Sequence, residues 1–156
     1  MHAVVWRTRA ALFALDTRHV VEIVPLVTAR PIPRMPAWLR GLVAYRGALL
    51  PLVDAAALLG HAPAEERRAN RIVIVRLSAA STENEQIGLL VEELVGADHV
   101  DFTARSAPYE FVTADGAALG PVAHSEFGLV QLIEPNAVFT AEQRATLRQT
   151  REATEA

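Results

Sequence analysis

The sequence predicts a mainly β protein, a barrel or a sandwich built from short strands. Three observations carry that reading. Short apolar runs recur along the chain, turn residues punctuate them at close intervals, and few stretches carry helix signals. The 156 residues suit one domain with room for two small lobes. A chain of that size buries roughly 68–70% of its unfolded surface and needs neither metal nor disulfide to fold.

Val4–Arg7 and Ala11–Leu15 read as the first two strands. Asp16-Thr17 starts a turn or a helical turn reaching Val20 or Val21, and Glu22–Val24 is extended into Pro25. Pro31, Pro33 and Pro36 then lie in an ordered loop, since each lacks a donor and turns its predecessor away from helix. Leu42–Tyr45 and Ala48–Val53 form a hairpin around Arg46-Gly47, where glycine supplies the positive φ of a tight turn. Pro51 marks its strand as an edge or a bulge. Asp54 as N-cap and Gly60 as C-terminal stop bracket a short helix over 55–59.

His61–Asn70 is polar and loop-like. Ile72–Leu77 is a strand mostly apolar on both faces, Ser78–Glu85 is a polar hairpin connection, and Ile87–Val91 and Leu94–Val100 are the next strands. Gly88 and Gly96 stand at bulge or turn points. Ala104–Ala118 reads as a loop containing an Asp115-Gly116 turn, and Leu119–Ala123 pairs with Gly128–Ile133 through His124–Phe127. Thr140 and Gln143 fit a capping box, so a helix begins near Ala141. With Leu147 as its single large apolar residue, that helix is expected to bury little and to fray over Arg151–Ala156.

Composition narrows the function classes. Net charge is −3 and pI is near 5.9, unlike the electrostatic footprint of a nucleic-acid binder. No cysteine is present, which removes disulfides and thiol catalysis and fits a reducing compartment. The most apolar stretch, Gly41–Gly60, is interrupted by Arg46, Pro51 and Asp54, too polar for a transmembrane helix. A soluble, intracellular protein is expected. All fifteen basic residues are arginine, a side chain suited to bidentate contacts with carboxylates.

Catalytic and metal-binding constellations are not evident. The five histidines, His2, His19, His61, His99 and His124, are scattered without ligand spacing. His124-Ser125-Glu126 holds the residue types of a hydrolytic triad, yet sequence neighbours cannot converge as a triad requires, and a turn is the simpler reading. Adjacent Glu92 and Glu93 point to opposite faces of a strand, a poor acid–base pair. Glu65-Glu66-Arg67-Arg68 reads as a solvated loop. Trp38 and Tyr45 suit core packing first and an interface second. Arg46 reads as an exposed turn residue, although a tight hairpin is also a rigid mount for a binding side chain.

From Val20 to Gly60 the chain resembles the CheW family. The residues concerned are Val20-Val-Glu22-Ile23, Pro33 and Pro36, Leu39-Arg-Gly41, Tyr45-Arg46-Gly47 through Pro51-Leu-Val-Asp54, and Leu59-Gly60. Ile87-Gly88 through Val95 and Gly128–Ile133 are similar to later family strands, so the likeness covers about residues 3–139. Ala44 stands where the family has asparagine, Glu92 where it often has aspartate, and 104–125 follows the pattern poorly.

The resemblance implies two packed, five-stranded, SH3-like barrels over residues 1–139 with a helical tail over 140–156. It implies no catalytic site; no cofactor and no metal are expected. Its partners would be the regulatory domain of a histidine kinase and a chemoreceptor's cytoplasmic tip, in the cytoplasm at membrane receptor arrays. Val20, Glu22, Gly41 and Arg46 fall at partner-binding positions, while Ile23, Gly47, Pro51 and Asp54 shape the fold around them. The alternatives are a kinase-regulating module of a surface-sensing or pilus-linked pathway that touches no receptor, and a ligand-binding barrel or enzyme. The last would need a convergent polar pocket.

Overall fold

The computed structural model describes residues 1–78, 85–102 and 111–155, with only the backbone at 111, 112 and 155. In chain order the strands are β1 (His2–Thr8), β2 (Ala11–Asp16), β3 (Val20–Pro25), β4 (Leu39–Tyr45) and β5 (Ala48–Asp54). Helix α1 (Ala55–Leu58) precedes β6 (Arg71–Arg76), β7 (Gln86–Val91) and β8 (Glu93–His99). Two short strands, β9 (Phe111–Val112) and β10 (Ala118–Leu119), lead to β11 (Val122–Ser125), β12 (Gly128–Leu132) and helix α2 (Ala141–Glu155).

Two five-stranded sheets result, ordered β11-β12-β2-β1-β8 and β3-β6-β7-β5-β4. Each contains one parallel pair, β12 with β2 and β5 with β7, among antiparallel neighbours. These are the two five-stranded lobes that the resemblance implies. A 3-10 turn over Thr17–His19, capped by Asp16, carries the chain from the first lobe to the second.

Strand alternation explains how the lobes pack, because successive side chains face opposite sides of a sheet. In the first lobe Ala3, Val5, Leu12 and Ala14 fill the lobe's own core, while Trp6, Phe13 and Leu15 point into a shared one. In the second, Leu52, Ile72, Ile74 and Leu90 line the inner core, and Val53, Val73, Val75 and Leu89 meet the first lobe. A sheet buried on both faces needs apolar residues at every position, which is why β6 reads as a continuous apolar run.

Several local expectations change once the strands are paired. Gly88 is neither a turn nor a bulge: it sits between Leu52 and Ile74 in register. A Cβ there would lie 3.1 Å from Ile72 Cγ2 and 3.2 Å from Leu52 Cδ1, so the inner core requires the missing side chain. Gly96 does lie at a bulge, where the β1–β8 register shifts. Pro51 is inside a sheet whose β5 has neighbours on both sides. Parallel pairing with β7 begins only at Leu52, so the strand is locally an edge at the proline and no ladder bond is lost.

Near the C-terminus, Leu119 pairs with Phe111 in the small β9–β10 sheet instead of joining the last hairpin. That hairpin turns at Glu126-Phe127, with His124 and Ser125 already paired to Leu129 and Gly128. The Ser78–Glu85 connection falls mostly outside the described residues, as does 103–110 of the expected long loop.

Helix α2 departs most from expectation. Its capping box forms as predicted: Thr140 N–H donates to Gln143 Oε1 at 2.8 Å, and Gln143 N–H donates to Thr140 Oγ1 at 3.0 Å. The helix does not bury little, however. Leu147 is 1% exposed and joins the core shared by both lobes, beside Phe139 and Val138. Helical structure persists to Glu155, with Thr150 buried near its end. One well-placed leucine docks a helix when the hole receiving it is already apolar on all sides. Leu147→Ala should therefore cost about 2–4 kcal/mol in urea unfolding. A loss below about 0.5 kcal/mol, the range of ordinary surface changes, would mean the helix is not docked in solution.

Candidate functional site

The partner-binding positions named by the resemblance lie on or beside the two edges of the second sheet, β3 and β4. Those edges meet through side chains. Tyr45 Oη donates to Glu22 Oε2 at 2.5 Å, and Arg46 Nη2 donates to the same oxygen at 3.3 Å. The Arg46 guanidinium also lies 5.5 Å from the centre of the Tyr45 ring. Glu22, Tyr45 and Arg46 thus form one cluster across the seam that curls the sheet toward closure.

The hairpin beneath the cluster is tightly constrained. Arg46 and Gly47 both take positive φ, +47° and +79°, the signature of a two-residue turn matched to strand twist. Glycine adopts this freely, whereas an L-residue such as arginine pays about 1–2 kcal/mol. Arg9 and Arg34 share the conformation, so left-handed backbone alone does not distinguish the site. Arg46 differs in being gripped by a carboxylate and a ring.

The electrostatics are those of a surface. The Arg46 and Glu22 side chains are 74% and 38% exposed, so their ion pair contributes little to stability. The hydroxyl of Tyr45 holds the Glu22 carboxyl below its ordinary range, partial burial opposes that, and Arg46 reinforces it. The same hydrogen bond pushes the Tyr45 phenol upward. A depressed carboxylate keeps its favourable contacts above its unfolded pKa and loses them as pH falls through the folded value. The cluster is therefore intact and charged at neutral pH.

The remaining predicted residues are placed as follows. Val20 is partly buried and packs on the core between the lobes. Gly41 is buried with φ +136°, at the β4 register shift. A Cβ on it would stand 2.1 Å from the carbonyl oxygen of Arg30 in the proline loop. That loop is clamped on β4 by two hydrogen bonds between Arg30 and Leu42, at 2.8 and 2.9 Å. Ile23 is exposed beside Glu22, and Pro51 is buried. Asp54 is fully buried and accepts from Ala57 N–H, Ala64 N–H and Arg40 Nη1 at 3.2, 2.9 and 3.3 Å.

Two features were missed in the sequence. One is the Tyr45 hydroxyl, which joins the seam when core packing is the simpler expectation for the ring. The other is Leu49, 49% exposed on the arm of the arginine turn. Strand alternation carried the signal for Leu49, because buried Leu50 and outward Leu49 must oppose one another. A guanidinium, a carboxylate and exposed apolar side chains are recognition groups. Trp38, by contrast, is core, with its ring 6.1 Å from that of Phe139. His124 and Ser125 end β11 and Glu126 begins the turn that follows, where Ser125 Oγ donates to Gly128 O at 2.8 Å.

The model of the CheW-like domain matches residues 2–143. The chain belongs to the CheW-like family. It is 31% identical over 136 residues to the "Chemotaxis protein CheW" of Rhizobium meliloti (strain 1021), covering 85% of this chain and 83% of that protein. It is 36% identical over 80 residues to the "Probable chemotaxis protein CheW" of Rhizobium etli, over 51% of this chain and 48% of that one. Among solved structures, the scaffolding protein TtCheW from Thermoanaerobacter tengcongensis superposes with a TM-score of 0.73 at 23% identity, covering 91% and 89% of the two chains. That likeness shows that the paired lobes are a CheW-like fold. Among the described residues, no helix is long and apolar enough to cross a membrane.

Proposed function

We propose that this chain is a non-enzymatic chemotaxis scaffold that couples the cytoplasmic tip of a chemoreceptor to the regulatory domain of a histidine kinase. Membership of the CheW-like family supports the scaffold role. The observation that carries the reading on this chain is the seam, where Arg46 is held on a rigid turn by Glu22 and Tyr45. An exposed ion pair stabilises the fold little, yet it aims a guanidinium outward at small entropic cost, and preorganised contacts bind more tightly. Backbone strain retained at such a point fits a binding role.

In this reading Glu22 and Arg46 make charge-assisted contacts with a partner, and Ile23 and Leu49 supply apolar area beside them. Val20 and Gly41 act through shape: the first anchors β3 on the shared core, and the second lets the proline loop lie against β4. A scaffold holding two partners raises their local concentration and fixes their orientation. The protein would act in the cytoplasm, recruited to receptor arrays, with residues 1–139 as the scaffold module and α2 as an added helix locked to it.

The test is calorimetric titration of the purified chain with a receptor-tip fragment and, separately, with a kinase regulatory domain from the same cell. Arg46→Glu should weaken one of the two by at least about tenfold, a loss of roughly 1.4 kcal/mol, and leave the melting temperature close to wild type. Binding of neither partner at tens of micromolar would sink the scaffold reading. Equal binding by wild type and variant would leave the scaffold standing and remove Arg46 from its interface.

A further inference from the structure

His2 and His99 are far apart in sequence, yet they are direct partners on adjacent antiparallel strands, β1 and β8. Directly opposed residues point to the same face of a sheet. Both histidines are exposed. Their rings lie 5.1 Å apart centre to centre at an interplanar angle of 69°. Imidazole nitrogens bind zinc at about 2 Å, and two rings on one tetrahedral ion then sit about 5 Å apart. The pair already has that separation.

We propose that His2 and His99 form a two-histidine site for a divalent transition-metal ion of the zinc, nickel or copper class. Imidazole is the ligand these ions favour. The mount is stiff: β1 pairs with β2 on one side and β8 on the other, and Val100 N–H donates to the Met1 carbonyl at 2.8 Å. Asp98 supplies no third ligand, since it is next to His99 in β8 and faces the other side of the sheet; its carboxylate accepts from His99 N–H and Glu126 N–H at 2.8 and 3.0 Å. Among the described residues no three histidine or acidic side chains converge, so water completes the shell. A bound ion would staple the edge strand β8 onto β1.

The experiment is a calorimetric titration of the full chain with nickel chloride at pH 7.5, repeated at pH 5.5. Wild type, His2→Gln, His99→Gln and a His61→Gln/His124→Gln double variant are compared. The expected result is one ion per chain, bound about 100-fold more weakly by either single variant, because each removes one arm of a chelate. The double variant should match wild type. Affinity should fall at the lower pH, because protons compete with the metal ion for its ligand nitrogens. A melting-temperature rise with nickel should appear in wild type and vanish in both single variants. Undiminished binding by His99→Gln would overturn the proposal. Loss of binding in the His61/His124 variant, or no stoichiometric binding to wild type, would overturn it equally.

Discussion

Gly41→Ala is expected to destabilise the protein by about 3–5 kcal/mol, among the largest effects a single methyl can have. Two costs add. The backbone φ of +136° is one that L-residues rarely adopt, worth about 1–3 kcal/mol. The new Cβ would also stand 2.1 Å from the Arg30 carbonyl oxygen and 2.7 Å from its carbon. Those are main-chain atoms, so no side chain can swing aside, and the Arg30–Leu42 bonds must break to make room. Gly47→Ala separates the two costs. Its φ is also positive, at +79°, but nothing lies within 4 Å of its Cβ, so about 1 kcal/mol is expected. Urea unfolding of both variants checks the comparison. A Gly41→Ala loss no larger than that of Gly47→Ala would show that the proline loop yields without cost.

Asp54→Ala is the second large effect, at about 3–4 kcal/mol. Helix capping alone predicts about 1 kcal/mol, and that is all the local sequence suggests. The buried carboxylate does more. It satisfies the N–H of Ala64, itself 4% exposed, and holds Arg40, which reaches across from β4. Removing it orphans a buried donor, worth about 1–3 kcal/mol, and leaves the partly buried Arg40 cation only its exposed partner Glu66, at 3.6 Å. Asp54 therefore ties α1, the 61–70 loop and β4 to one point. Thermal and urea denaturation of Asp54→Ala distinguish the two accounts: a loss near 1 kcal/mol leaves only the cap.

Local features were legible because their causes are local. Arg46-Gly47 turns the chain within two residues. Asp54 and Gly60 bracket a helix within seven, and Thr140 with Gln143 caps another within four. Each signal depends on backbone groups next to the residue that satisfies them. The resemblance between Val20 and Gly60 then pointed to paired lobes, and the family match supports it.

Elsewhere local reasoning failed for a common reason: the deciding neighbour was distant in sequence. Gly88 looked like a bulge because glycine weakens strands, but its cause is the side chains of Ile72 and Leu52. Pro51 marked the whole strand as an edge, but β5 has neighbours on both sides and is an edge only at the proline, since its pairing with β7 begins at Leu52. Leu147 looked too solitary to dock a helix, because the hole it fills is built by both lobes.

By itself, then, the sequence determined the β class, the turns, the helix caps and the kinship. Those follow from alternation, from φ preferences and from donors that must be satisfied nearby. Tertiary structure alone decided which side chains meet. It joined Glu22 to Tyr45 and Arg46 across the closing seam, buried Gly41 under the proline loop, and set His2 against His99. The physical reason is that contacts of this kind depend on sheet register and closure. Both are set by the summed burial of two shared faces, and no short window of residues contains that sum.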